Sequence, residues 1–497
     1  MHTTIDGDKR ATGWHQLAVE PRRPEVVRRL SRGYLLAVAA VCVGAFMGQL
    51  DASIVTLAFP ALERSFHAGV ASVSWVGLSY LLVLVATVAA VGRLADMVGR
   101  KLLYLYGFII FVVGSLLCAA APTLLALDAF RAVQAVGAAM LQANSVAIIA
   151  LAVPRRRLGR ALGIQGAAQA LGLALGPSVG GLLLAAGGWR LLFLVNVPVG
   201  MVGFVAALLF VPRSTHLQGR GEFDWPGFAL FFPSAAALVF AISEGNHQGW
   251  TSPLIVASVI VTLGLGTVFV ARERGCRNPM VDISLFRRVR FTAGVSSSLL
   301  AFLVLFGVLV VVPFLLERAD RFGTVRTGLE LMVMPVALGL VAPFSGRMAD
   351  TVGVRRPAVT GLCMAAAGLL LLAVLRPSTP GFLALLALIG AGLGLFTSPN
   401  NAGIMAAVPE RQSGLASGLL NMSRGLGTAM GLAVTTAVFS ALGGDGGTPS
   451  VVRSAISVTF LVLAGVALVA GMITALGSSA QPLAGIHADD LVVPTLG

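Results

Sequence analysis

The sequence predicts an all-α polytopic membrane protein, two six-helix bundles with two further helices inserted between them, and three observations predict it. Hydrophobic residues fill 57% of 497 positions and charged residues only 11%, against roughly 25% charged in soluble proteins. Apolar runs recur fourteen times, which at about 20 residues per bilayer span absorbs nearly all of that apolar content. Finally, an eight-residue string in the first half returns in the second, at the same place relative to the surrounding runs.

The expected spans are residues 35–60, 73–95, 102–121, 124–153, 161–187 and 191–211, then 228–243 and 254–271, then 291–316, 328–345, 358–375, 382–408, 414–442 and 455–477. Each is a long apolar run closed by charged or Pro/Gly-rich residues. They divide the chain into a tail (1–33), a six-helix bundle (34–211), an inserted pair with its flanking loops (212–290), a second six-helix bundle (291–477) and a short tail (478–497). An even number of spans places both termini on one side. Of the 35 Lys and Arg residues, 26 fall on that side by this topology. The positive-inside rule therefore makes it cytoplasmic, and arginine outnumbering lysine 33 to 2 beside abundant Ala and Gly suggests a bacterial chain, hence a bacterial inner membrane. The net charge of +14 is explained by those loops, with no nucleic-acid partner needed. The first apolar run is too long for a signal-peptide core and is expected to remain as the first span. Cys42, Cys118, Cys276 and Cys363 show no CxxC spacing, so neither a disulfide nor structural zinc is expected.

The repeat sets the architecture. Gly92-Arg-Leu-Ala-Asp-Met-Val-Gly99 returns as Gly346-Arg-Met-Ala-Asp-Thr-Val-Gly353, six of eight residues identical at an offset of 254. At an offset of 255, Gly137, Val153, Pro154, Gly163, Gly172 and Gly176 meet Gly392, Val408, Pro409, Gly418, Gly427 and Gly431. The offset covers eight helices, so the repeating unit is six and the pair between is an insertion. The halves share one orientation and are parallel repeats about an axis along the membrane normal.

Several charged or glycine-rich strings carry candidate chemistry. In the turn 92–101, Gly92 and Gly99 permit close or left-handed backbone, while Asp96 can reach a neighbouring helix N-terminus or an arginine such as Arg100. Asp350 holds the equivalent place in the second copy. Such a clasp would hold one conformation and release in another. Asp51 lies inside the first span, where an ionised carboxylate is costly and therefore a functional candidate. Arg131 lies in the fourth span, and at about 1.5 Å per residue both fall at a similar depth. They can pair, with Asp128, one turn from Arg131, as a competing partner. Asp51 would bind and release a proton while Arg131 modulates its affinity; the alternative is a permanent ion pair that only ties helices together. In the fifth span, Gly172, Gly176 and Gly180 share one face, Gly181 follows, and Pro177 loosens the helix.

Gln134, Gln142, Asn144, Gln165, Gln169, Asn400 and Asn401 are uncharged polar residues within spans. They either line a wet substrate cavity or hydrogen-bond neighbouring helices for about 1 kcal/mol each. Arg424, inside the thirteenth span, either faces that cavity or neutralises helix carbonyls. Glu330, near the outer start of the tenth span, is a secondary candidate for proton or cation binding. No span holds a histidine, and the only lysines are Lys9 and Lys101. The GxxxxGK[ST] string needed for ATP hydrolysis is thus absent, as is HExxH metal spacing. The energy source is expected to be a proton gradient, with no cofactor and no metal.

With these strings in place, residues 34–477 resemble the major facilitator superfamily, and within it the fourteen-helix drug:proton antiporters. The resemblance implies that the 92–101 loop latches an outward-open state through Asp96 and Arg100; Met97 departs from the basic residue common there. It implies an acidic residue at Asp51 and the RxxQxxG pattern of Arg131, Gln134 and Gly137. The GPxxGG string at 176–181 resembles the fifth-helix antiporter signature, and Leu432 stands where the second half would repeat Pro177. The implied function is secondary efflux of a small hydrophobic or cationic drug-like compound in exchange for protons, without enzymatic activity, ATP or nucleic acid. A lipid or secondary-metabolite exporter on the same scaffold is the nearest alternative. A proton-pumping subunit of a respiratory complex would need intramembrane lysines.

Overall fold

The computed structural model describes residues 20–30, 32–214, 223–319, 322–375, 377–444 and 448–477; the tails before residue 20 and after residue 477, and part of the loop entering the inserted pair, lie outside them. Among the described residues fourteen long helices run in chain order: α1 (Gly33–Ile54), α2 (Val70–Val98), α3 (Arg100–Ala120), α4 (Leu124–Ala152), α5 (Leu158–Gly187), α6 (Trp189–Phe210), α7 (Trp225–Gln248), α8 (Pro253–Gly275), α9 (Val289–Pro313), α10 (Arg326–Val352), α11 (Arg355–Val374), α12 (Thr379–Ala406), α13 (Ser413–Ala441) and α14 (Pro449–Gly477).

Their ends follow local chemistry. Thr123 and Ser252 start α4 and α8 by accepting hydrogen bonds from the amides of Ala126 and Ile255, as expected of N-cap hydroxyls. Gly99 (φ 126°) and Gly353 (φ 89°) end α2 and α10 in backbone that L side chains rarely adopt, which is why both repeat copies close on glycine. Prolines break helices where their missing N–H frees a carbonyl one turn back. Pro198 divides α6 into Trp189–Leu194 and Asn196–Phe210. Pro335 follows a similar joint at Met332 in α10. Two expected spans differ at the end away from the arginine-rich loops. The first stops at Ile54, passes through a 3-10 turn and restarts as the short helix Phe59–Phe66 with Pro60 in its first turn. The ninth turns into a π-helical segment, Phe314–Ala319, directly after Pro313.

The duplication is visible in the packing. In the first bundle α1 packs on α5 and α6, α2 on α4, and α3 on α4 and α6; α9 to α14 repeat the same pairings. The bundles meet through α5 against α10 and α2 against α13, again exchanged by the repeat. The inserted α7 lies along α2 and α13, while α8 packs mainly on α7 and is largely exposed. Thirteen of the helices are long and apolar enough to cross a membrane among the described residues. The remaining one, α13, has 29 residues but carries Ser417, Asn421, Ser423 and Arg424, all buried. It is enclosed by α2, α4 and α9, so its lower apolarity reflects a protein-facing position.

Close contact between the bundles rests on glycine. A Cβ on Gly92 would lie 2.3 Å from the Gly414 carbonyl oxygen, and one on Gly414 2.5 Å from that of Gly92. Gly159 and Gly346 stand in the same reciprocal relation, at 2.3 and 2.1 Å. These are the two pseudo-symmetric crossings at the arginine-rich end, where any side chain would hold the bundles apart.

Candidate functional site: a buried carboxylate, two latches and a central cleft

Five helices of the first bundle converge on Asp51. Its Oδ2 accepts a hydrogen bond from Arg131 Nη1 at 2.8 Å. Its Oδ1 accepts from Gln134 Nε2 at 3.0 Å and from Asn196 Nδ2 at 2.7 Å. Arg131 also donates to the Val76 carbonyl at 3.1 Å and to Gln134 Oε1 at 2.6 Å, and its guanidinium lies 4.1 Å from the centre of the Tyr80 ring. Gln134 Nε2 donates further to Ser115 Oγ at 2.8 Å. Asp51, Arg131, Gln134 and Asn196 are all at most 1% exposed.

A carboxylate held by three donors, one of them a guanidinium, is a strongly satisfied anion. A proton placed on it would compete directly with one of those donors. The centre is thus chemically equipped to couple protonation of Asp51 to a change in the α1–α4–α6 contacts. Arg131 pairs with Asp51; Asp128 forms no ion pair with it, and Asp128 Oδ1 is buried without a partner. Sequence reasoning missed Asn196, Tyr80 and Ser115. Asn196, a lone amide in an apolar run, was the detectable one.

At the arginine-rich end Asp96 spans the two bundles. Its Oδ1 and Oδ2 accept from the amides of Gly414 and Leu415 at 2.8 and 2.9 Å, at the N-terminus of α13. Arg100 pairs with Asp96 at 2.5 Å and donates to the Glu410 carbonyl at 2.8 Å. Asp350 repeats the contact on α5, accepting from the amides of Gly159 and Arg160 at 2.8 and 3.1 Å. Each aspartate satisfies helix N-terminal amides of the opposite bundle and meets the positive end of the helix dipole. The second latch has no arginine equivalent to Arg100, because Val354 occupies that place. A further carboxylate from the N-terminal segment, Glu20, accepts from the amides of Lys101, Leu102 and Ser214 at 3.0, 3.4 and 2.6 Å. It ties the start of α3 to the chain leaving α6.

The glycine face of α5 seats this helix on α1 beside Asp51. A Cβ on Gly172 would lie 2.4 Å from the Phe46 carbonyl oxygen, and those on Gly176 and Gly180 would meet Ser53 and Leu57. Gly181 has nothing within 4 Å. Pro177 stays inside the continuous helix and leaves the carbonyl of Leu173 unpaired by it, and Leu173 borders the central cleft.

That cleft lies between the bundles, lined by Gln49, Gln169 and Leu173 from one half and Phe302, Phe306 and Thr397 from the other. Its free volume of about 30 Å³ is on the order of one or two waters, so the bundles must separate to admit an organic molecule. Gln142 borders a smaller adjoining gap with Gln49 and Gln169, and its carbonyl accepts from Asn421 at 3.0 Å. The other sequence candidates mostly knit helices. Gln134 belongs to the Asp51 centre, and Asn144 donates within its own helix to Met140. Gln165 donates to Ser145, and Asn400 to the Gly294 carbonyl. Asn401 Oδ1 accepts from Arg424 at 2.5 Å. Glu330 pairs with Arg326 at 2.8 Å. It lines a pocket of about 510 Å³ at the end of the second bundle opposite the arginine-rich one, apart from the cleft. Among the described residues no group of three or more His, Cys, Asp or Glu could hold a metal ion.

The sequence profile of the Major Facilitator Superfamily matches residues 41–328 and 296–484. The multidrug resistance protein Stp of Mycobacterium tuberculosis is 34% identical over 83% of this chain and 77% of its own length. The riboflavin transporter RibZ of Clostridioides difficile is 31% identical over 82% of this chain and 88% of its own. The drug efflux pump JefA of Mycobacterium tuberculosis is 29% identical over 82% and 80%. Among solved structures, the human organic anion transporter MFSD10 superposes with a TM-score of 0.66 at 17% identity, covering 89% of this chain and 99% of that one. The proton:xylose symporter XylE gives 0.64 at 15%, covering 89% and 95%. Repeat, bundle packing and sequence agree: the chain belongs to the Major Facilitator Superfamily of membrane transporters.

Proposed function

We propose that the chain is a proton-coupled efflux transporter of a bacterial inner membrane, exchanging a hydrophobic or amphipathic small molecule for protons by alternating access. The arginine-rich end, with both termini, faces the cytoplasm. The observation that carries the reading is the sealed Asp51–Arg131 centre: an ion pair buried inside the first bundle and built around a carboxylate in a bilayer-spanning helix. In the arrangement described, the Asp96 and Asp350 latches close the cytoplasmic end and Asp51 is ionised. Protonation of Asp51 frees Arg131 from its charge partner and loosens α1 against α4. The bundles then rock apart at the Gly92–Gly414 and Gly159–Gly346 crossings, the latches open, and cargo enters the cleft from the cytoplasm. Release of the proton inward resets Asp51.

Relatives named for multidrug resistance, drug efflux and riboflavin transport support a small organic cargo. The lining of the cleft is largely apolar with a few amides, the composition expected of a pocket for such molecules. Proteoliposomes with an imposed pH gradient test the reading directly, using cationic dyes, neutral antibiotics and riboflavin as a panel. Movement of a panel member that collapses with the gradient supports it; movement indifferent to the gradient contradicts it.

A further inference from the structure

A second buried arginine lies in the other half of the molecule, and it is provided for quite differently from Arg131. Arg424 on α13 is 5% exposed. Its Nη2 donates to Asn401 Oδ1 at 2.5 Å, its Nε is buried without any partner, and its guanidinium lies 5.0 Å from the centre of the Phe302 ring. No carboxylate among the described residues forms an ion pair with it, and α9, α12 and α13, which carry Phe302, Asn401 and Arg424, contain no Asp or Glu. A desolvated guanidinium served by one neutral amide and an aromatic face is under-compensated, since a buried charge is tolerated chiefly when paired.

Its position indicates where the counter-charge comes from. Phe302 lines the central cleft, and Gln169, the residue at the equivalent place in the repeat, lines it from the opposite bundle. The cleft lining itself is uncharged. Resting on the reading of this cleft as the cargo route, we propose that Arg424 is a specificity-determining residue that pairs with an acidic group of the cargo, so that the preferred substrate is an amphipathic organic anion. Phe302 both touches the guanidinium and lines the cleft, and its ring would stack on the apolar part of such a molecule as the carboxylate, sulfonate or phosphate reaches Nε and Nη2 in the bidentate manner arginine favours.

The test is equilibrium binding to the full chain in nanodiscs, by titration calorimetry with no gradient present. The probes are 2-naphthoate, methyl 2-naphthoate and 2-naphthylmethylammonium, applied to wild type, Arg424→Lys and Arg424→Gln. Glutamine stands at the equivalent repeat position, and thermal unfolding of each variant verifies that it folds. Wild type is expected to bind naphthoate at least tenfold more tightly than the ester or the ammonium. Arg424→Gln should erase that preference while leaving ester binding within twofold, and Arg424→Lys should keep part of it. Equal binding of all three probes by wild type, no binding of any, or an equal loss of all three in Arg424→Gln overturns the proposal. So does occupancy by an inorganic anion alone, seen as chloride binding without discrimination among the organic probes. Because no gradient is involved, a failure of proton coupling leaves this result readable, and a failure here leaves the gradient-driven assay untouched.

Discussion

Replacing Asp96 with alanine removes the acceptor of two amides at the start of α13 and strands Arg100, which is 1% exposed and retains only the Glu410 carbonyl. Breaking a buried ion pair from one side costs about 3–5 kcal/mol. That cost falls on the closed arrangement, because separating the bundles lets water reach Arg100. The equilibrium at this end should therefore move toward the open form by about a hundredfold to a few thousandfold. Asp350→Ala removes the equivalent two amide bonds without stranding an arginine. Its cost is on the order of 2 kcal/mol, a shift of about thirtyfold. Spin labels at Val98 and Arg411, both exposed on either side of the crossing, would report the separation by double electron–electron resonance after replacement of the four native cysteines. The expected result is one short distance in the parent, a dominant longer distance in Asp96→Ala and a smaller long component in Asp350→Ala. Unchanged distributions, or a larger effect from Asp350 than from Asp96, would refute the latch reasoning.

Three further outcomes follow from the same geometry. Gly172→Ala should lower thermal stability by about 1–3 kcal/mol, since overpacking at a backbone contact cannot relax, while Gly181→Ala, facing open space, should leave the melting temperature unchanged. Gly92→Leu should block closure of the latched end even with Asp96 intact, because the added side chain meets the α13 backbone; the same spin labels would show the long distance. Asn196→Ala should weaken gradient-driven efflux and cost about 1–2 kcal/mol of stability, since Asp51 Oδ1 is left with Gln134 alone.

Much of the architecture is legible in the chain because bilayer spans must be long, apolar and internally hydrogen-bonded, and because the repeat at 92–99 and 346–353 counts the helices between its copies. The Asp51–Arg131 pairing is also readable, from two ionisable residues at matching depth. What the sequence hides is lateral packing. Nothing in it says that the Pro198 break turns Asn196 toward Asp51, or that Gln134, one turn from Arg131, serves the same carboxylate instead of the cleft. Glu20 is likewise silent: an ordinary acidic residue in a tail becomes the cap of α3 only through a long-range contact. The reduced apolarity of α13 is a mixed signal, weakening it as a span while marking it as the helix enclosed between the bundles.

The most direct test of proton coupling through Asp51 is proton release on cargo binding, followed with a pH indicator in weakly buffered detergent solution of the purified protein, wild type beside Asp51→Asn. With a transported compound from the gradient panel, wild type should release protons in proportion to cargo bound, and Asp51→Asn should bind the compound and release none. Equal release from both proteins would contradict the assignment of the coupling proton to Asp51.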